Sequence, residues 1–276
     1  MEKIISNTVI AKDIHKIVIT APSITRSWRP GQFIIVRFSE QSERIPLTVC
    51  KNDEKNGFIT LIVQSIGEGT KEICSGKGGS FINDVAGPLG KPAEIDENLK
   101  NVLFISGGIG AAPLLPVMQY LHDRDISCVT LAGTKSRNTL VLEEEMRELS
   151  YNRLHISTDD GSIGRKGFVI ALIEEAVKKY VPFDRAFVAG PVKMMAAAVK
   201  ELQKFNIPST VSLNPIMIDG TGMCGGCRVT VNGETKFACI DGPEFEGDLV
   251  DFDSLIKRLS SYGHQHNHNC RIASSQ

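Results

Sequence analysis

At 276 residues, with 42% hydrophobic and 23% charged side chains, the chain is long enough to bury a sizeable core and to divide into two domains with room for a small third. A formal net charge of -1 offers no global attraction to nucleic acid or to an acidic membrane surface, so neither is expected as a partner and an anionic ligand has to be held by local groups. The opening MEKIISNTVIAKD carries only a short apolar run, no later stretch approaches the roughly 20 apolar residues of a membrane span, and the expected location is cytoplasmic.

Residues 1–98 read as short strands, TVIAKDIHKIVIT, GQFIIVRF, IPLTVCKN and GFITLIVQSI, separated by the turn signals Pro30-Gly31, Asp53 to Gly57, Gly67 to Gly69 and Gly76 to Gly79. Strands at this spacing predict an antiparallel sandwich or barrel without a long helix.

From Asn101 the pattern becomes an alternation of apolar strands and helical stretches: NVLFISGG then APLLPVMQYLHDR, SCVTLAG then TLVLEEEMREL, RLHISTDDG then FVIALIEEAVKKY, DRAFVAG then VKMMAAAVKELQKF. Four such units predict a Rossmann-like parallel sheet with helices on both faces over residues 99–211. Gly107, Gly108 and Gly110 stand where a buried strand meets a helix starting near Pro113, a turn that lets backbone N–H groups approach a pyrophosphate.

Three further turns, AGTKSRN, STDDGSIGRKG and AGPVKMM, end strands of the same sheet, and ligands of open α/β sheets bind at that edge. Asp159, Asp160 and Ser162 either bond ribose hydroxyls or cap their own turn. Lys135, Arg137 and Arg165 either bind phosphate or are solvated loop cations. No acidic residue about 20 positions beyond Gly110 chooses between NAD and NADP.

Residues 212–260 form a glycine-rich, cysteine-bearing segment with strand signals CRVTV and TKFAC around Asn232-Gly233, a hairpin dipeptide. Of seven cysteines, Cys224, Cys227 and Cys239 cluster, which argues for metal ligation rather than a disulfide framework. Thiolates two residues apart can share a metal centre, and Asp219 is the nearest deprotonable group for a fourth position. Zinc is the alternative, although zinc ribbons usually carry two CxxC pairs and this segment has one. Residues 261–276 read as a flexible polar tail whose His264, His266, His268 and Cys270 are assigned no site.

The stretches GQF, RIPLT, GEGTK, GPLG, GGIGAAP, TDDGSIGRKG, AGPVKMM and SLNPIMIDGTGMCGGCRVTV occur in an order that resembles the ferredoxin-NADP reductase superfamily from about residue 3 to residue 258. Within it the chain resembles the electron-transfer subunit of dihydroorotate dehydrogenase B and, more strongly, the small subunit of NADH-dependent reduced ferredoxin:NADP oxidoreductase, also called the sulfide dehydrogenase beta subunit. The resemblance implies a six-stranded FAD-binding β-barrel, a nicotinamide-binding α/β domain and a C-terminal [2Fe-2S] module.

By that likeness Arg44 contacts the flavin phosphates, Pro46, Leu47 and Thr48 lie along the isoalloxazine with Thr48 as the catalytic candidate, and Gly67, Gly69 and Thr70 clasp the pyrophosphate. Gly107, Gly108, Gly110, Asp159, Asp160, Gly190, Pro191 and Met194 line the NAD(H) site, and Asp219, Cys224, Cys227 and Cys239 hold the cluster. The chain departs from the family in two places. Arg44 precedes Thr48 by four residues, where the superfamily has arginine three before serine, and Asp219 stands where the dihydroorotate subunit has cysteine. Nothing in the chain resembles a second flavoprotein or paired [4Fe-4S] motifs, so the implied partner is a larger flavin/iron-sulfur subunit in a heterodimer. The expected activity is electron transfer between NAD(H), FAD and the cluster within an electron-bifurcating complex. The alternatives are a dihydroorotate dehydrogenase subunit serving pyrimidine synthesis, and a non-catalytic nucleotide-binding module with structural zinc.

Overall fold

The computed structural model describes residues 1–263. His264, His266, His268 and Cys270 of the expected tail lie outside the described residues, whereas Ser261 to Gly263 close the last helix.

Seven strands form the N-terminal sheet: β1 (Glu2–Ala11), β2 (Ile14–Thr20), β3 (Phe33–Arg37), β4 (Ile45–Asp53), β5 (Phe58–Gln64), β6 (Phe81–Ile82) and β7 (Asp84–Leu89). They lie in the order β6-β1-β2-β5-β4-β3-β7 and every pair is antiparallel. Only Asn83 separates β6 from β7, so one stretch of chain supplies both edges and nearly closes the sheet into the expected barrel. The period-2 pattern explains the curl: Ile17 and Ile19, Ile34 and Val36, Ile59, Leu61 and Val63 alternate inward to one core. Two short helices, α1 (Pro22–Thr25) and α2 (Glu68–Ser75), join these strands. The second was not read from GEGTKEICS because glycines occupy its N-cap and its second position.

The second sheet contains β8 (Asn101–Gly107), β9 (Ser127–Thr134), β10 (Leu154–Thr158), β11 (Arg165–Lys166), β12 (Arg185–Ala189) and β13 (Ser209–Ser212), all parallel. Their order is β11-β10-β9-β8-β12-β13. Helices α3 (Ala111–His122) and α4 (Glu143–Leu149) cover one face, meeting Val102, Phe104 and Phe187. Helices α5 (Ala171–Tyr180) and α6 (Val192–Gln203) cover the other, meeting Leu103, Ile105, Val129 and Leu131. Phe104 and Phe187 stack with centroids 5.5 Å apart, and each ring so buried stabilises the fold by roughly 1.5–3 kcal/mol. Helix α4 starts at Glu143 rather than at Thr139, because Leu142 is left-handed at φ 56 and interrupts the turn before it.

Past β13 come the hairpin β14 (Arg228–Val231) and β15 (Glu234–Phe237), then β16 (Glu244–Glu246) and α7 (Phe252–Gly263). Asn232 and Gly233 both have positive φ in the hairpin turn, as an Asn-Gly pair favours. Strand β16 was not anticipated. It pairs antiparallel with β13 and extends the parallel sheet by one strand, which ties the cysteine-bearing segment to the nucleotide-type sheet.

Candidate functional site

Strand order reverses between β8 and β12, which are hydrogen-bonded neighbours reached by different crossovers. The crevice beyond their carboxyl ends is where such sheets take a ligand. Gly107 ends β8, Gly190 follows β12, and their backbones abut: a Cβ on Gly190 would stand 2.9 Å from Gly107 Cα. The methyl of Met194 lies over both glycines, and Pro191 Cδ would be 2.9 Å from a Cβ on Gly107. Gly110 faces the Ala189 carbonyl at a distance no side chain tolerates. Gly107, Gly108, Gly110, Gly190, Pro191 and Met194 are therefore gathered at one turn.

Asp159 and Asp160 sit at the end of β10, two strands away. The Asp160 carboxylate accepts hydrogen bonds from Ser162 Oγ at 2.6 Å and Ser162 N at 2.9 Å, and these bonds hold its pKa below the usual carboxylate range. Its Oδ1 caps its own turn. Ser162 Oγ in turn accepts from Arg137 N at 2.8 Å, which joins the turns after β9 and β10. The Arg165 guanidinium donates to Glu175 and to the Ala171 carbonyl.

On the barrel, Pro46, Leu47 and Thr48 are half-buried on β4 and paired with Ile35, Ile34 and Phe33. Arg44 is exposed just before the strand. A Cβ on Gly69 would stand 2.8 Å from Ile45 Cδ1, so the start of α2 leans on the start of β4. Thr70 Oγ1 accepts the N–H groups of Ile66 and Gly67, each at 3.0 Å. That hydroxyl orders the turn and leaves the first amides of α2 to meet an anion, beside Arg44.

The cysteine module packs against this same barrel end. Gly220, at φ +74, lies so near the barrel that a Cβ would stand 2.8 Å from Leu89 Cδ1 and 3.0 Å from Ile35 Cγ1; only glycine fits that position. Asp219 Oδ1 accepts from Thr221 N at 2.9 Å and Oδ2 from Cys224 N at 2.8 Å. The Thr221 bond leads the causes that keep Asp219 ionised below the ordinary range. Cys227 and Cys239 are buried with sulfurs 3.2 Å apart, Cys224 is exposed, and backbone N–H groups reach sulfur from Gly226 and Cys239, each at 3.4 Å. Burial, followed by the Cys227 thiol, pushes Cys239 up to about 12, so binding a metal centre there releases a proton.

The chain matches a model of the iron-sulfur cluster binding domain of dihydroorotate dehydrogenase B over residues 214–251 and of the oxidoreductase NAD-binding domain over 104–200. It is 30% identical over 255 residues to the dihydroorotate dehydrogenase B (NAD+) electron-transfer subunit of Fusobacterium nucleatum, covering 90% of this chain and 96% of that one. The chain belongs to the dihydroorotate dehydrogenase B electron-transfer subunit family. The Thermotoga maritima homolog of this family is 42% identical, over 96% of this chain and 93% of its own. A solved structure of the NADH-dependent reduced ferredoxin-NADP oxidoreductase, described for flavin-based electron bifurcation, superposes with TM-score 0.90 at 42% identity, covering 96% of this chain and 95% of that one. Phthalate dioxygenase reductase, at 17% identity and TM-score 0.63, shares the fold. As a member of the family the chain is an oxidoreductase subunit with an NAD-binding domain and an iron-sulfur module.

The donor set fits a two-iron cluster. Among the described residues no three His, Cys, Asp or Glu side chains are arranged to hold a single metal ion, but a two-iron cluster divides its ligands between two irons and does not need them to meet at one point. Two further positions were not legible in the sequence. Arg258 on α7 donates to the Gly226 carbonyl at 3.1 Å and so props the turn between Cys224 and Cys227; its only signal was an amphipathic run after the cysteines. Glu244 on β16 carries a buried Oε2 with no hydrogen-bond partner.

Proposed function

We propose that the chain is the small electron-transfer subunit of an electron-bifurcating NADH-dependent ferredoxin:NADP oxidoreductase. It moves electrons between NAD(H), FAD and a [2Fe-2S] cluster, to or from a larger flavin/iron-sulfur subunit in the cytoplasm. The observation that carries the reading is the contact of Gly220, next to Asp219, with Leu89 and Ile35. It sets the candidate cluster loop on β3, which pairs with the candidate flavin strand β4 and places Ile35 opposite Pro46, and on β7 at the far side of β3.

Each residue then has a task. Arg44 and the first amides of α2 hold the flavin phosphates, Thr48 with Pro46 and Leu47 flanks the isoalloxazine, and the glycine turn at Gly107 to Gly110 with Gly190 and Pro191 seats the pyridine dinucleotide. Asp219, Cys224, Cys227 and Cys239 are the cluster ligands. The chemistry supplied by the bound groups is hydride exchange at the flavin and one-electron transfer at the cluster, while the protein orients them and excludes water. Asp219, an oxygen donor in place of a fourth thiolate, favours the ferredoxin:NADP complex over a dihydroorotate dehydrogenase. Met223 and Ile218 are 90% and 56% exposed beside Cys224, apolar surface suited to docking the larger subunit. Among the described residues no helix is long and apolar enough to cross a membrane.

Anaerobic purification with the natural partner, followed by absorption spectroscopy and iron, sulfide and zinc analysis, tests the reading. Flavin bands with iron and sulfide are expected, and the co-purified chain is a large flavin/iron-sulfur subunit. A colourless zinc protein, or capture of a dihydroorotate-binding partner, overturns it.

A further inference from the structure

Only Gly225 and Gly226 separate Cys224 from Cys227, and an arginine reaches each of them. Arg228 follows Cys227 at the start of β14, and its side chain folds back along the loop instead of extending into solvent: Nη1 lies 3.1 Å from the place that a Cβ on Gly225 would take. Gly225 stands at φ +64, a backbone conformation that glycine adopts without strain, and its missing side chain leaves the guanidinium room against the turn. Arg258 comes from α7, and its Nη2 donates to the Gly226 carbonyl at 3.1 Å.

The same turn touches a candidate cluster ligand directly. Gly226 N–H donates to Cys224 Sγ at 3.4 Å, and a Cβ on Gly226 would stand 3.4 Å from that sulfur. A ligand sulfur and two guanidinium groups therefore meet the backbone of one two-residue turn at contact distance.

An exposed arginine is ordinarily neutralised by a nearby acid or surrounded by water. Among the described residues no carboxylate pairs with Arg228. The acids of the same module are directed elsewhere: Glu234 pairs with Lys236 at 2.7 Å, and Asp241 accepts from Phe237 N at 2.7 Å. Phe237 is the ladder partner of Arg228, and its ring edge meets the turn as well, with Cε1 3.7 Å from a Cβ on Gly225. A ring at that place displaces water that would otherwise screen the charge.

We propose that Arg228 raises the reduction potential of the cluster carried by this loop. The thiolates and the Asp219 carboxylate are all anionic donors, so an electron arriving at the centre adds negative charge to negative charge. A cation fixed against the Cys224–Cys227 turn stabilises the reduced state more than the oxidised one, and net charge around the sulfurs is one of the factors that set such potentials. Arg228 touches no reacting atom; it is a positioning residue that acts on the cluster through its field. Arg258 holds the neighbouring carbonyl and adds charge of the same sign.

The inference rests on the reading that the chain carries a two-iron cluster, and the two fail differently. Absence of iron and sulfide from the purified wild-type complex sinks that reading before any potential is measured. With the cluster present, its midpoint potential is measured by a redox titration followed by electron paramagnetic resonance in the wild-type complex, Arg228→Gln, Arg228→Glu and Arg228→Lys, with iron, sulfide and flavin counted per chain in each. Cofactor content is expected to match the wild type throughout. At a fixed ambient potential the reduced-to-oxidised ratio of the cluster is expected to fall about tenfold in Arg228→Gln, a drop of about 59 mV for a one-electron centre. It is expected to fall further in Arg228→Glu and to be largely restored in Arg228→Lys, and the spread between the variants is expected to narrow as salt is added. An unchanged potential in Arg228→Gln, or an equal drop in Arg228→Lys, overturns the proposal. So does loss of iron in Arg228→Gln, since the side chain would then belong to the scaffold of the loop and not to its field.

Discussion

Gly110 and Ala189 approach so closely that a Cβ on the glycine would stand 2.3 Å from the alanine carbonyl oxygen. Backbone oxygen cannot swing aside as a side-chain tip can, so Gly110→Ala forces the glycine turn away from β12. The expected loss of stability is about 1–3 kcal/mol, accompanied by weaker NADH binding. Gly108 has nothing within 4 Å and φ +54, so Gly108→Ala strains the backbone alone by about 1–2 kcal/mol while its methyl enters the ligand crevice. Denaturant midpoints and NADH titrations of both variants check the contrast. Full NADH affinity in Gly110→Ala would remove this turn from the dinucleotide site.

The cysteine cluster makes a second expectation that separates ligand from scaffold. Cys227→Ala takes away a buried sulfur that contacts Cys239 and is expected to abolish the cluster, read as iron and sulfide per chain. Asp219→Cys keeps four donors on the same loop and is expected to retain iron with a changed reduction potential. Wild-type iron content in Cys227→Ala strikes that residue from the ligand set.

The parts most legible in the sequence are those written in local pattern. Runs such as VLFIS and AFVAG announce strands buried on both faces, the Asn232-Gly233 pair announces its hairpin, and the glycine turn at Gly107 announces itself by the strand before it and the helix after it. What was not legible depends on distant partners. Glu244 to Glu246 become a strand because β13 presents a free edge, a fact no window of sequence contains. Asp160 was open between ribose binding and turn capping; Ser162 bonds its Oδ1 within the turn, a cap compatible with a ribose contact through Oδ2. Helix α4 is shorter than its periodicity suggests because the left-handed backbone at Leu142 is a tertiary outcome.

Arg258 extends the argument from ligands to what holds them. Its Nη2 bond to the Gly226 carbonyl is a tie, among the described residues, from α7 to the Cys224–Cys227 turn. Arg258→Met keeps most of the side-chain length and removes the donor, a change of about 0.5–1.5 kcal/mol for a typical hydrogen bond. Iron loss to a chelator is expected to quicken while flavin content is unchanged. Loss of both cofactors together would mean that α7 supports the whole fold rather than this turn.

Glu244 also makes a statement about stability. Its ordinary value is 4.5, and in the fold it stands at about 7. Between those values the folded protein keeps a proton that the unfolded chain has released, so stability falls as pH rises through the window. The contribution is fully present below about pH 4.5 and lost above about pH 7, and at 1.36 kcal/mol per pKa unit it amounts to at most about 3 kcal/mol. Glu244→Gln has no proton to lose. Its thermal midpoint is therefore expected to exceed that of the wild type at pH near 8 and to draw level with it at pH near 5, when both proteins carry the same cofactors. Equal midpoints at the higher pH would mean that the buried carboxyl finds a compensating partner once it ionises, and the cost assigned to its burial would then be wrong.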